Sequence, residues 1–235
     1  MASNRVTIIG GLVVSAALLA GFGMIADEVV EGETLVVDKA ILMWFRDAAD
    51  PSTPLGPSWF VEAMRDVTAL GSFTVLGIIV IGLAIQLLLA GARRTALFVV
   101  LSVIGGTIIS TVLKALFDRP RPDLTGTVEV FTASFPSGHA TASAVVFLTI
   151  GAILAERAAT WGLRAYYIGF AVLLTLMIGV SRVYLGVHYP TDVLAGWSIG
   201  TAWALLCLAL AVWLRRGPMA NEAEPEPVTS TGATR

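Results

Sequence analysis

The sequence predicts an all-α membrane protein, with six transmembrane helices in one bundle and short interfacial helices between the first and second spans. Three observations lead to this fold class. Of the 235 residues, 56% are hydrophobic and 14% are charged, with a mean hydropathy of +0.82, whereas a soluble domain carries about 25% charged residues. Apolar runs approaching the roughly 20 residues needed to cross a bilayer recur along the chain. Arginines also cluster at alternate ends of these runs.

The expected spans include two that are short. The six are Val6–Ala26, Ser72–Ala92, Thr95–Leu113, Ala140–Ala155, Ala165–Ser181 and Val193–Leu214. The first could instead be a cleaved signal peptide, but its apolar run exceeds a typical signal core and no clear A-x-A site follows. The fourth and fifth reach span length only by including flanking polar residues such as His139 and Arg182. Ionisable groups are therefore expected near membrane depth.

The longest connection, residues 27–71, is expected to form two short helices on the outer membrane surface. Apolar residues return at helical spacing on both sides of a turn-rich break, Asp50–Pro57. Trp44 and Trp59 would then lie at headgroup level. The alternative is an ordinary extracellular loop.

The arginine distribution predicts the orientation of the bundle. Positive charge near span ends marks the cytoplasmic side. With six spans, the arginine clusters all fall on one face, and they are Arg5, Arg93 with Arg94, Arg157 with Arg164, and Arg215 with Arg216. Both termini are therefore predicted to be cytoplasmic.

Residues 1–217 are expected to form one domain, and residues 218–235 a disordered cytoplasmic tail. The tail is polar and contains prolines, so it cannot bury a core. Cys207 is the one cysteine of the sequence, which excludes an intramolecular disulfide.

Three short segments carry polar residues that an apolar bundle does not require. The first is "KALFDRPRP", residues 114–122, where Lys114 ends the third span and Arg121 follows seven positions later. Prolines 120 and 122 favour an extended exit segment. Taken alone, each cation could simply extend to the lipid headgroups.

The second segment is "PSGH", residues 136–139. Ser137 suits a helix N-cap, and Gly138 lets a ligand approach the backbone closely. The free N–H groups of the following helix form an anion site, most naturally for phosphate, beside which His139 would project. Alone, this histidine could be an ordinary interfacial residue.

The third segment is "SRVYLGVHYPTD", residues 181–192. Arg182 ends the fifth span, His188 lies in a short turn, and Asp192 falls in the first turn of the sixth span. The carboxylate can hold one ring nitrogen of His188 and leave the other free. Alternatively, Asp192 only caps its helix and His188 is an interfacial residue.

The predicted topology places all three segments on the same outer face. Cations, backbone donors and a histidine–carboxylate pair together supply what phosphoryl transfer needs, namely charge stabilisation, a nucleophile and a proton donor. Each segment has a purely structural explanation on its own. Those explanations do not account for three separate segments that lie on the same face.

At these residues the sequence resembles the type 2 phosphatidic acid phosphatase family. The family pattern is Lys, six residues, Arg-Pro; then Pro-Ser-Gly-His; then Ser-Arg, five residues, His, three residues, Asp. Every position of that pattern is filled here, by Lys114, Arg121-Pro122, Pro136-Ser137-Gly138-His139, Ser181-Arg182, His188 and Asp192.

The resemblance implies a role for each of these residues. His188 is the implied nucleophile, Asp192 its orienting carboxylate and His139 the acid for the leaving oxygen. The implied phosphate-binding residues are Lys114, Arg121, Ser137, Gly138 and Arg182. The family needs no metal or other cofactor, which agrees with a sequence that holds two histidines and one cysteine.

The expected function is that of a lipid phosphatase in a bacterial inner membrane, with its active site on the periplasmic face. Its partners would be a lipid phosphate substrate and the bilayer, with no nucleic acid. Undecaprenyl diphosphate ranks first as substrate, followed by phosphatidylglycerol phosphate, phosphatidate and lipid A phosphates. A phosphotransferase using the same site and, lower, a transporter-like bundle remain as alternatives. Oligomeric state stays open.

Overall fold

The computed structural model describes residues 2–122, 124 and 132–214, and helices make up its regular elements. They are α1 (Ala2–Glu31), α2 (Leu35–Met43), α3 (Ser58–Ala69), α4 (Phe73–Leu89), α5 (Arg93–Phe117), α6 (Gly138–Arg157), α7 (Trp161–Tyr184) and α8 (Pro190–Leu214). The all-α membrane fold expected from the sequence is confirmed. The tail at residues 218–235, predicted to be disordered, lies outside the described residues.

The number of membrane crossings depends on α4. Within the described ranges, α1, α5, α6, α7 and α8 are each long and apolar enough to span a bilayer. Helix α4 has 17 residues, the lower end of the range for a span. It joins α3 through a bend of 48°, and the bent pair passes the same test as one unit. The structure thus contains five spans, or six with this pair, and the six-span bundle stays a prediction.

The long helices extend beyond their predicted ends and so include the polar residues singled out above. Helix α5 continues to Phe117 and holds Lys114 in its last turn. Helix α7 likewise ends with Arg182 in its last turn. Pro190 opens α8, where its missing N–H is not needed, and Asp192 lies in the first turn.

Close contact between α6 and α8 brings two of the three polar segments together. Gly196 and Gly200 lie one turn apart on α8, and neither has space for a side chain. A Cβ on Gly196 would stand 2.8 Å from the Ser137 carbonyl oxygen, and one on Gly200 would stand 2.6 Å from the Thr141 carbonyl oxygen. The two glycines therefore let the start of α6 lie directly against α8.

Two short helices occupy the connection between α1 and α4, as predicted. Helix α2 buries Asp38 and Leu42, whereas α3 buries none of its side chains fully. Trp44 and Trp59 are 74% and 66% exposed. Exposed tryptophans of this kind suit a membrane surface, and the interfacial position of these helices stays a prediction.

Candidate active site

His188 and Asp192 form the centre of the site. A tight turn after α7 carries His188, and Gly186 in that turn adopts a φ of +71°, which favours glycine. His188 is 1% exposed and Asp192 is fully buried. The His188 Nδ1 atom lies 3.5 Å from Asp192 Oδ2. The same carboxylate oxygen accepts hydrogen bonds from the Tyr189 N–H at 2.8 Å and from the Ser134 hydroxyl. The expected histidine–carboxylate pair is thus present.

The second ring nitrogen of His188 faces a cation. Arg121 Nη1 lies 3.1 Å from His188 Nε2. A guanidinium can only donate, so Nε2 accepts and the ring proton is assigned to Nδ1, on the Asp192 side. Burial lowers the pKa of His188 to about 3, although Asp192 opposes that shift. The imidazole is therefore neutral at pH 7, with its lone pair directed towards Arg121.

Arg121 is fixed from several directions. Its Nε donates to the Thr132 carbonyl oxygen at 2.9 Å, and its Nη2 donates to the Thr132 hydroxyl at 3.0 Å. Its Nη1 also donates to the Val187 carbonyl oxygen at 2.8 Å. These contacts connect the chain after α5 to the turn that carries His188, and they place the guanidinium directly beside His188 Nε2.

Lys114 lies beside the start of α6. Its Nζ donates to the Ala133 carbonyl oxygen at 2.6 Å, and a Cβ on Gly138 would stand 3.5 Å from its Cε. A cavity of about 370 Å³ is lined in part by Lys114, Phe73 and Thr132. A ligand in this cavity would contact the lysine from the side of α4 and α5.

Ser137 occupies the N-cap position of α6 but does not cap the helix with its side chain. In the part of the chain that the structure describes, its buried hydroxyl has no hydrogen-bond partner. The expectation of a capping serine is therefore correct for position only. A buried hydroxyl without a partner is costly, and it is available to a ligand at the start of α6.

His139 follows in the first turn of α6 and packs under the junction of α3 and α4. A Cβ on Gly71, at that junction, would stand 3.4 Å from His139 Cδ2. Lys114, Arg121 and Arg182 are all close enough to interact electrostatically with this histidine. Three cations from two of the polar segments thus lie near this one imidazole.

Arg182 is held by a hydrogen bond to α3. Its Nη1 donates to the Thr68 hydroxyl at 3.1 Å. Its Nε is buried, and the described residues offer it no acceptor. An anion between Arg182 and Arg121 would supply that acceptor.

The structure also reveals contacts that the sequence reasoning missed. Ser134 Oγ lies 3.3 Å from His188 Nδ1 while it donates to Asp192. Arg119 binds Asp192 on its other oxygen and also binds Asp38 of α2. Ser134 and Arg119 both lie inside or beside the polar segments, but Asp38 is 154 positions from Asp192. No spacing pattern links residues so far apart.

This arrangement can stabilise a transferring phosphoryl group. The neutral nitrogen of His188 offers an electron pair, and three cations, a free hydroxyl and the start of α6 offer positive charge and hydrogen-bond donors. A second histidine, His139, lies near the same cations, and histidine is a common proton donor and acceptor in catalysis.

Comparisons with known proteins identify the family of the chain. The sequence pattern of the PAP2 superfamily matches residues 95–216. Phosphatidylglycerophosphatase B of Bacillus subtilis (strain 168) is 35% identical over an alignment of 148 residues that covers 60% of this chain and 70% of that protein. An undecaprenyl-diphosphatase of the same organism is 31% identical over 44% of this chain and 51% of its own length.

A solved structure extends the likeness beyond the matched segments. The crystal structure of a transmembrane PAP2-type phosphatidylglycerolphosphate phosphatase from Bacillus subtilis superposes with a TM-score of 0.77 at 26% identity. The superposition covers 86% of this chain and 98% of that one. Since the family pattern matches more than half of the sequence and the fold matches nearly all of a solved member, the chain belongs to the PAP2 superfamily, as a multi-pass membrane phosphatase.

Proposed function

We propose that the protein hydrolyses the phosphomonoester or terminal diphosphate of a membrane lipid through a phosphohistidine on His188. The observation that carries the proposal is that the two nitrogens of this ring have different neighbours. Its Nδ1 faces Asp192 and its Nε2 faces Arg121. A phosphate that takes over the hydrogen bond from Arg121 would therefore lie against the unprotonated nitrogen.

The reaction takes place in two steps. His188 Nε2 attacks phosphorus, and the bond between phosphorus and the lipid oxygen breaks while His139 gives that oxygen a proton. Asp192 stabilises the positive charge that develops on the imidazole. Water, losing a proton to His139, then attacks the phosphohistidine, which releases phosphate and restores His188.

Five residues are assigned to hold the phosphoryl oxygens. Lys114, Arg121 and Arg182 supply charge, and the Ser137 hydroxyl and Gly138 N–H supply hydrogen bonds. The unpartnered Ser137 Oγ and Arg182 Nε support this assignment, because a bound phosphate would satisfy both atoms. The reaction needs no metal ion in this scheme.

The substrate is proposed to be undecaprenyl diphosphate or phosphatidylglycerol phosphate. The family resemblance ranks the first of these highest. The likeness in sequence and fold to a phosphatidylglycerophosphatase supports the second. Both present a terminal phosphate at the membrane surface, so one site on the periplasmic face of a bacterial inner membrane would serve either.

The test is covalent labelling of the purified protein by a lipid that carries a labelled terminal phosphate. After an alkaline quench, wild type should retain label, since phosphohistidine survives alkali and is lost in acid. His188→Ala should retain no label and should lose at least about 1,000-fold in rate, as enzymes without their nucleophile do. Lys39→Gln, a change at an exposed position on α2, is the control and should behave as wild type.

Two added reagents check the mechanism independently. Turnover should persist in EDTA and should be blocked by vanadate, which imitates the five-coordinate transferring phosphoryl group. Wild-type label in His188→Ala would show that another residue is the nucleophile, and loss of activity in EDTA with rescue by magnesium would contradict the metal-free scheme.

A further inference from the structure

Arg119 joins two buried carboxylates that come from distant parts of the chain. Its Nη1 lies 2.6 Å from Asp192 Oδ1, and its Nη2 lies 2.8 Å from Asp38 Oδ2. Asp38 is 1% exposed and Asp192 is fully buried. The line from Asp38 through Arg119 to Asp192 therefore connects α2 at the surface of the bundle to the carboxylate that contacts His188.

The bridge gives each oxygen of Asp192 a separate set of donors. Oδ1 accepts from Arg119, whereas Oδ2 faces His188 Nδ1 and accepts from the Tyr189 N–H and the Ser134 hydroxyl. With Oδ1 held, the carboxylate cannot rotate Oδ2 away from the imidazole. Orientation of the His188 ring thus depends on where Arg119 lies.

Asp38 determines where Arg119 lies. Its carboxylate accepts from Arg119, and it also accepts from the Thr191 N–H at 3.1 Å and the Thr191 hydroxyl at 2.6 Å. The guanidinium carbon of Arg119 stands 4.4 Å from the centre of the Tyr189 ring, which covers one face of the cation. Thr191 and Tyr189 flank Pro190 at the start of α8, so Asp38 secures both the arginine and the helix end beside it.

Charge gives Asp38 a second function. Arg119 alone would neutralise Asp192 and weaken its hold on an imidazole that becomes positive during the reaction. Asp38 shares the positive charge of the guanidinium, so Asp192 keeps more of its own negative charge. Burial on its own would lower the pKa of Arg119, but attraction by Asp192 and the hydrogen bonds to Asp38 and Asp192 raise it.

We propose that Asp38 and Arg119 are positioning residues for catalysis. They hold the Asp192 carboxylate against the His188 ring and preserve the negative charge of that carboxylate. The inference rests on the proposed function, since it assigns His188 as the nucleophile. Neither residue touches the substrate in this scheme. They should therefore affect the chemical step and leave binding of the lipid in the ground state nearly unchanged.

The experiment measures kcat, KM and vanadate inhibition for Asp38→Asn, Arg119→Lys, Arg119→Gln and the double variant Asp38→Asn/Arg119→Lys. Loss of a residue that orients a metal-ligating side chain lowers activity by about 10–100-fold, and we expect the same range for residues that orient Asp192. Asp38→Asn should lower kcat about 10-fold and weaken inhibition by vanadate by a similar factor, while KM stays within about 2-fold of wild type. Arg119→Gln should lose more, and Arg119→Lys should recover part of that loss. Asp66→Asn, which removes a charge from an exposed position on α3, is the matched control and should leave all three constants unchanged.

The double variant tests whether Asp38 and Arg119 act through the same interaction with Asp192. If they do, the double variant should lose little more than Arg119→Lys alone, because the effects of coupled residues do not multiply. Multiplied losses, or a raised KM with unchanged kcat, would overturn the proposal and leave a purely structural bridge.

Folding is checked on the same samples by thermal unfolding in detergent. A lowered kcat with an unchanged midpoint supports the positioning role, whereas a kcat loss that disappears once the rates are corrected for the folded fraction overturns it.

The phosphatase proposal and the positioning proposal also fail in different ways. A wild type that releases no phosphate from any lipid overturns the phosphatase, and the positioning role with it. An active wild type with an unimpaired Asp38→Asn variant overturns the positioning role alone.

Discussion

The proposed role of His188 as nucleophile depends on a difference between its two nitrogens. Asp192 and Ser134 lie on the Nδ1 side, and Arg121 lies on the Nε2 side. Full burial lowers the pKa of this ring from its ordinary value of 6.5 to about 3. Because the pKa is lowered, the neutral form predominates at every pH above that value. Acidification to pH 5 therefore does not protonate the proposed nucleophile.

A pH profile of kcat/KM tests this directly. Between pH 7 and pH 5 we expect no loss attributable to His188, once the separately measured ionisation of the substrate phosphate is divided out. A histidine with the ordinary value near 6.5 would lose about 30-fold by pH 5 through protonation. An acid limb of that size in the corrected profile would contradict the buried, neutral ring.

At this scale the sequence predicts residues that follow a local pattern and misses those that meet only in the fold. His188 and Asp192 are four positions apart across one turn, so their contact could be expected from spacing. Ser134 meets Asp192 across 58 positions, and Asp38 meets Thr191 across 153. Such contacts depend on how helices pack, which hydropathy and spacing do not specify. The role of Ser137 as a side-chain cap was wrong for the same reason, since its surroundings in the fold leave the hydroxyl unpartnered.

Among the elements, α6 and α8 control the geometry of the site most directly. Helix α6 begins with Gly138 and His139, and α8 begins just before Asp192. The small residues Gly196 and Gly200 bring the two helices into backbone contact. The separation of His139 from His188 therefore depends on these glycines. Hydropathy predicted both helices within a few residues but gave no sign of which helices would pack together.

Gly200→Ala should destabilise the protein and lower its activity. The new Cβ would stand 2.6 Å from the Thr141 carbonyl oxygen and 2.9 Å from the Ala144 Cβ, so a backbone must move. Overpacking of this kind costs about 1–3 kcal/mol. Gly77→Ala on α4, where a Cβ meets nothing within 4 Å, is the control. Thermal unfolding in detergent should show a lower midpoint for the first variant only, and equal midpoints would contradict the close-packing argument.

Across the whole molecule, the number of membrane crossings depends on the bent pair α3–α4. The polar ends of α5, α6, α7 and α8 meet in one site, so these helices alternate in direction. Their arrangement is the same whether or not α4 crosses. The length of α4 does not decide whether it crosses, because 17 residues are at the lower limit for a bilayer span. Arg93 and Arg94, at the start of α5, favour a full crossing of α4 with its C-terminal end in the cytoplasm.

Fusions of alkaline phosphatase, which is active only outside the cytoplasm, locate each loop. We expect activity after Leu55 and after Pro122, and silence after Arg94. This pattern requires α4 and α5 both to cross, and it places the phosphate site on the periplasmic face. β-Galactosidase fused at the same positions should give the opposite pattern, which controls for expression. Equal alkaline phosphatase activity after Leu55 and Arg94 would show that α4 does not cross. Activity after Arg94 alone would move the site to the cytoplasm and exclude a periplasmic substrate.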